Sequence, residues 1–274
     1  MRGAANSGEK AVYESYKRIT FARRGRVLTV TMNRPEVLNA IDAPLHEELA
    51  RVFTDVAADP DADVIVLTGA GRAFSAGGDI TWMQEMIDDR AMWERTRVEA
   101  KRIVFGMLDC EKPIIGKVNG AAMGLGATVA LFCDVIFAAE TAKIADPHVS
   151  VGLVAGDGGA IIWPQLIGYA RAKEFLMTGD VLTGADAARI GLVNHAVPQA
   201  ELDARVDAFA DRLCAGAMQA IKFSKTAVNI GLRQLAHSIM DASIAYETYT
   251  NWTADHQEAV AAFREKRKPK FQGR

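Results

Sequence analysis

A 274-residue chain that is 50% hydrophobic can bury one substantial core, alone or with a smaller appendage. Its 32 Lys and Arg offset 34 Asp and Glu, and a net charge of −2 gives no global field to recruit nucleic acid or an anionic membrane. Cys110, Cys133 and Cys214 lack CxxC spacing, which argues against a disulfide framework or zinc site and for a reducing, cytoplasmic setting.

Residues 1–11 contain no apolar core and read as a flexible leader, not a signal peptide. Val27–Met32 alternates as a strand does, and Asn33-Arg34-Pro35 ends it, because proline cannot continue a ladder. Residues 44–57 carry Leu45, Leu49, Val52, Phe53 and Val56 at helical spacing before Asp59-Pro60-Asp61 stops them. The apolar run 64–67 is a buried-strand candidate that feeds the bend 71–80, GRAFSAGGDI. A helical stretch over 90–108 leads to a second buried strand, Ile114–Val118. There the segment 116–134, GKVNGAAMGLGATVALFCD, turns at Asn119-Gly120, and Gly124 and Gly126 bracket Leu125 ahead of the helical run 127–132.

Both glycine bends follow a strand and precede a helix. Backbone N–H groups at such a place are unsatisfied and sit at the positive end of the helix dipole. Two of them predict a pair of donors converging on one oxygen, a phosphate or a developing oxyanion. The strand–helix alternation predicts parallel strands with helical crossovers.

Residues 135–138 and Lys143–Ala145 read as short strands, followed by Asp146-Pro147-His148. Helices are expected over 161–167 and 171–177, broken at Gly168 and Gly179. The run 129–139 contains Asp134 and is too short to span a bilayer, so no membrane is expected as a partner. From 201 to 267 apolar residues recur only at helical spacing. The chain therefore divides into a leader 1–11, an α/β core 12–197 and a helical region 198–274, which is expected to pack on another subunit.

The motifs Asn33-Arg34-Pro35 with Leu38-Asn39-Ala40, the run AFSAGGDI at 73–80, Asn119-Gly120 through Gly126, Cys133-Asp134 and the terminal FREKRKPKFQGR at 263–274 occur in order. In this set the chain resembles the crotonase superfamily, the enoyl-CoA hydratase/isomerase-like proteins. The resemblance implies a ββα spiral core with a helical C-terminal trimerisation region, hence a homotrimer or dimer of trimers. It implies an acyl-CoA thioester substrate, with coenzyme A as part of that substrate and no bound cofactor. The thioester oxygen would lie between the N–H groups of Gly78 and Leu125. Coenzyme A contacts would come from Arg34 and Ala40, from Ala76 with Asp79 and Ile80, and from Phe263 and Lys266 of a neighbouring subunit. Thr81 stands where many relatives carry a lysine near the phosphates. Asp79 also suits the N-cap of the helix that follows.

The family's hydratases hold and deprotonate water with two glutamates, whose places here are taken by Thr128 and His148. Two-glutamate hydration is therefore not supported. His148 suits a general base, because an unperturbed imidazole titrates near pH 6.5. Asp157, nine residues on, suits the carboxylate that orients such a base. This spacing is similar to that of a crotonase subgroup that hydrolyses carbon–carbon bonds in β-diketones, in which Glu247 takes the place of an acid. Competing readings make His148 a packed loop histidine and Asp157 the N-cap of a helix entered through Gly158. Three functions stay open: thioester-enolate chemistry, C–C hydrolysis assisted by His148 and Asp157, and a non-catalytic module that binds coenzyme A or a partner. His46, His195, His237 and His256 form no metal spacing, and the basic run 264–270 reads as a solvated tail rather than a nucleic-acid site.

Overall fold

The computed structural model describes residues 12–274; the leader expected over 1–11 lies outside the described residues. Ten strands form two sheets: β1 (Ile19–Arg24), β2 (Val27–Met32), β3 (Val64–Gly69), β4 (Ala73–Ser75), β5 (Ile114–Val118), β6 (Ala121–Met123), β7 (Val135–Ala139), β8 (Lys143–Ala145), β9 (Leu182–Thr183) and β10 (His195–Val197). The larger sheet runs β1-β2-β3-β5-β7-β10 and the smaller β4-β6-β8-β9. Within the larger sheet only the β1–β2 hairpin is antiparallel. After each of β3, β5 and β7 the chain bends and lays a short strand into the smaller sheet. The repeated strand, bend, short strand and helix make the expected spiral α/β core.

The long strands are apolar on both sides because helices cover both faces of the sheet. All six residues of β3 are buried. Strand β1 escapes sequence reading because ITFARR is mostly exposed, as an edge strand is. It is joined to β2 through Gly25 at φ 58°, which no side chain strains.

The longer α-helices complete the described fold: α1 (Ala43–Ala58), α2 (Ile80–Asp88), α3 (Arg90–Asp109), α4 (Leu125–Leu131), α5 (Gly159–Thr178), α6 (Gly184–Arg189), α7 (Leu202–Cys214), α8 (Met218–Asn251) and α9 (Ala254–Arg264). Asp42 starts α1 by accepting the Leu45 N–H at 3.0 Å, and its buried face carries the expected Leu45, Leu49, Val52, Phe53 and Val56. The two helices expected around residue 168 are one kinked unit, α5, broken in conformation at Gly168 (φ 80°, ψ 159°) and ended by Gly179 in the left-handed region.

The C-terminal region carries three long helices, the last ending at Arg264, short of the expected 267. Helix α7 packs on β5 and β7, α8 lies along α3, and α9 packs on α2. Helices α8 and α9 thereby reach the space at the two bends. The outer side of α8 leaves Val228 and Tyr249 three-quarters exposed. Among the described residues no helix is long and apolar enough to cross a membrane.

Candidate active site

The site is built by the pairing of β4 with β6, which sets Ala73 against Ala121 and Ser75 against Ala122. The glycine bends that leave these strands are therefore neighbours, and they touch. A Cβ added to Gly77 would lie 2.9 Å from the Met123 carbonyl oxygen, and one on Gly126 would lie 2.7 Å from the Ser75 Cβ. Gly77 also sits at φ 87°, where an L side chain is strained.

Side chains fix the first bend from below. Asn39 is fully buried; its Nδ2 donates to the carbonyls of Ala70 and Ala73, each at 2.9 Å, and its Oδ1 accepts the Arg34 N–H at 2.8 Å. Asn119 donates to the carbonyls of Gly69 at 3.0 Å and Gly71 at 2.9 Å. The Gly77 N–H donates to Ser75 Oγ at 3.2 Å and the Asp79 N–H to the Ile41 carbonyl at 2.9 Å. The Gly78 N–H between them has no acceptor among the described residues. On the second bend Gly124 N–H donates to Ala145 at 3.1 Å, and Leu125 opens α4, so its N–H lacks an intrahelical acceptor. Gly78 and Leu125, one residue per bend and each with a spare amide, line the same inner chamber.

The chamber also receives His148, Asp157 and Glu247, whose functional atoms lie within 4.8 Å of one another. His148 belongs to a short 3-10 segment, Pro147–Val151, and its ring faces Gly124, where a Cβ would come within 3.5 Å of Cε1. Its Nδ1–H donates to the buried Asp146 carboxylate, and its Nε2 lies 3.4 Å from Asp157 Oδ2. Thr128 Oγ1 donates to the other Asp157 oxygen at 3.3 Å. Glu247 reaches in from α8, only 8% exposed and with no hydrogen bond to its carboxylate among the described residues.

Charge decides the protonation of this cluster. Burial disfavours the imidazolium, but Asp146 and Asp157 outweigh it, so the His148 pKa is raised well above the ordinary histidine value. Burial also opposes the Asp157 charge, yet His148 and the hydrogen bond from Thr128 pull its pKa down. Glu247 has no such partner; burial and then the Asp157 charge push its pKa well above the carboxylate range, with only His148 opposing. One imidazolium, one carboxylate and one neutral acid is the arrangement these directions favour.

All five residues expected to be catalytic, Gly78, Leu125, His148, Asp157 and Glu247, line this chamber. The residues expected at coenzyme A divide. Ala40, Ala76, Asp79, Ile80 and Phe263 line an outer groove that meets the chamber at Gly78, Met83 and His148. Arg34 and Lys266 line neither. Arg34 donates to the Ala40 carbonyl and pairs with Asp79 at 3.3 Å and Asp42 at 3.4 Å, which holds it under the loop. Asp79 does cap α2, accepting the Thr81 N–H at 3.0 Å. Asp157 is not the cap of α5; that place is Gly158, with no side-chain bond.

Two contributors were not assigned from the sequence. Asp146 precedes Pro147-His148 directly, and an acid two residues before a candidate base is the signal that names it. His46 lines the chamber from α1, donates from Nδ1 to Glu99 at 2.7 Å and lies against Trp82. In the sequence it stood only among the scattered histidines that form no metal spacing.

A family model for enoyl-CoA hydratase/isomerase matches residues 22–274. The chain belongs to that family. It is 34% identical to the crotonyl-CoA hydratase of Syntrophomonas wolfei, over 94% of this chain and 98% of the relative. Among solved structures it is similar to an enoyl-CoA hydratase/isomerase of Mycobacterium paratuberculosis, with TM-score 0.86 and 36% identity over 89% of this chain and 97% of the other. It is also similar to a β-diketone hydrolase of Anabaena bound to (S)-3-oxocyclohexyl acetic acid, with TM-score 0.82 and 30% identity over 88% and 96% of the two chains. The enoyl-CoA hydratase/isomerase fold thus accommodates more than one chemistry among these neighbours, and the side chains at the spare amides must decide for this chain.

Proposed function

We propose that this member of the enoyl-CoA hydratase/isomerase family hydrolyses a carbon–carbon bond in a β-diketone. The observation that carries the reading is His148 held between two buried aspartates at one of the family's glutamate places, with Thr128 at the other. The similarity to a β-diketone hydrolase supports it.

Water lies against Nε2 of neutral His148, which takes its proton while the oxygen adds to the attacked carbonyl carbon. That carbonyl oxygen gains the charge between the Gly78 and Leu125 amides, where preorganised donors are worth most. The bond to the central carbon then breaks, and its electron pair passes into the second carbonyl as an enolate. Glu247, holding its proton, protonates the central carbon, and the proton on His148 returns to Glu247. One water is consumed and a keto acid leaves.

A second reading has its own support. The outer groove, with Ala40, Ala76 and Phe263, suits an acyl-CoA thioester whose enolate the same amides hold. The exposed apolar side of α8 suits association into a trimer that completes that groove. Side-by-side incubation with a cyclic β-diketone and with crotonyl-CoA, read by mass spectrometry, separates the two. Ring-opened keto acid from the diketone, with little 3-hydroxybutyryl-CoA, is expected; hydration of crotonyl-CoA with the diketone recovered intact would overturn the hydrolase reading.

A further inference from the structure

Apart from the His148 cluster, two ionisable side chains line the inner chamber, His46 and Arg97. His46 is already held by Glu99. Arg97 stands on α3 and also lines the cleft between α3 and α8, so its side chain separates the chamber from solvent at that side. The wall elsewhere is largely apolar, with Met86, Trp93, Ala100 and Ile244. An arginine at the edge of such a wall is out of keeping with a substrate that is apolar throughout.

The partners of Arg97 are specific. Its Nε pairs with Glu94, one turn back, and its two terminal nitrogens have no acceptor among the described residues. The other charges of the cleft are matched, since Lys101 pairs with Asp241 at 2.7 Å. The side chain is 45% exposed, so a group bound there keeps part of its hydration.

We propose that Arg97 is an anion anchor, and that the substrate carries a carboxylate at the end remote from the bond that breaks. The reacting end rests on the hydrolase reading; the anchor does not. The free edge of a guanidinium presents parallel donors that match a carboxylate, which a lysine cannot reproduce. The apolar walls then hold the carbon skeleton between the anchor and His148, which fixes which carbonyl meets the two amides. Partial exposure limits the gain to about tenfold in KM.

The test uses a matched pair of gem-dimethyl cyclic 1,3-diketones, one bearing a carboxylate on the far ring carbon and the other its primary carboxamide. Both methyl groups sit on the carbon between the carbonyls, which blocks enolisation there, so the tail charge is the difference between them. For the wild-type protein, KM for the carboxylate is expected about tenfold below that for the carboxamide at low salt, with the ratio shrinking as salt is raised. In Arg97→Gln the ratio falls to about one, and in Arg97→Lys it returns in part. Equal KM values in the wild type, or a preference that survives in Arg97→Gln, would overturn the proposal. Calorimetric binding of both compounds keeps the two readings apart. If neither diketone turns over, the hydrolase reading fails, and a carboxylate preference in binding that Arg97→Gln abolishes still supports the anchor, whereas equal binding refutes it.

Discussion

Replacing His148 with alanine lowers kcat/KM for β-diketone hydrolysis by about 10³-fold, within the range a positioned base contributes. His148→Gln does the same while keeping bulk and a hydrogen bond for Asp146, which guards against a loss caused by unpaired buried carboxylates alone. The wild-type pH profile carries the sign of the cluster. His148 must be neutral to take a proton from water, and Asp146 and Asp157 hold its pKa well above 6.5. Activity is therefore absent where the imidazolium persists and rises as pH passes the raised value. Asp146→Asn removes one of the charges responsible and moves that limb to lower pH. Linkage gives the opposite trend for folding: the stabilisation from this raised group is complete below about pH 6.5 and is lost as pH climbs through its folded value. The protein is thus expected to work best where His148 stabilises it least. An activity limb below pH 6.5, or full turnover by both His148 variants, would remove the base from the mechanism.

The second large effect concerns the backbone. Gly77→Ala places a methyl group 2.9 Å from the Met123 carbonyl oxygen and forces an L side chain to φ 87°. Something must shift, and the nearest movable group is the adjacent Gly78 amide. The expected loss is about 10²-fold in kcat with KM little changed, the signature of an interaction made in the transition state. Backbone strain also costs about 1–3 kcal/mol of stability. Gly25→Ala is the control, since Gly25 has φ 58° and open space around it in the β1–β2 hairpin. It should lower the melting temperature and leave kcat alone. Equal kcat in wild type and Gly77→Ala would mean that the Gly78 amide takes no charge.

The bends were legible in the sequence because each glycine cluster stands between an apolar strand run and a helical run, and the long strands because their apolar runs are buried on both faces. Of the four strands of the smaller sheet only Lys143–Ala145 was. Ala73–Ser75 and Ala121–Met123 are three residues each, too brief for a period to emerge, yet their pairing brings the amides together. Asn39 was visible as part of a motif, but its clamp on the carbonyls of Ala70 and Ala73 spans more than thirty residues of chain and leaves no local pattern. The His148–Asp157 pairing could be read from spacing. Its partner Glu247 came from resemblance alone, since ninety residues and the fold of α8 separate it from Asp157. Asp146 shows the reverse case: two residues before the candidate base it carries a local signal, but its burial beneath the imidazole is a tertiary fact that the Asp-Pro-His run does not encode.

The most direct test is a crystal structure of His148→Ala with an unhydrolysed cyclic β-diketone bound. One carbonyl oxygen is expected about 3 Å from both the Gly78 and the Leu125 nitrogen, with its carbon facing the space vacated by the imidazole. A diketone seated with neither oxygen at those nitrogens, or lodged in the outer groove with the chamber empty, would contradict the account.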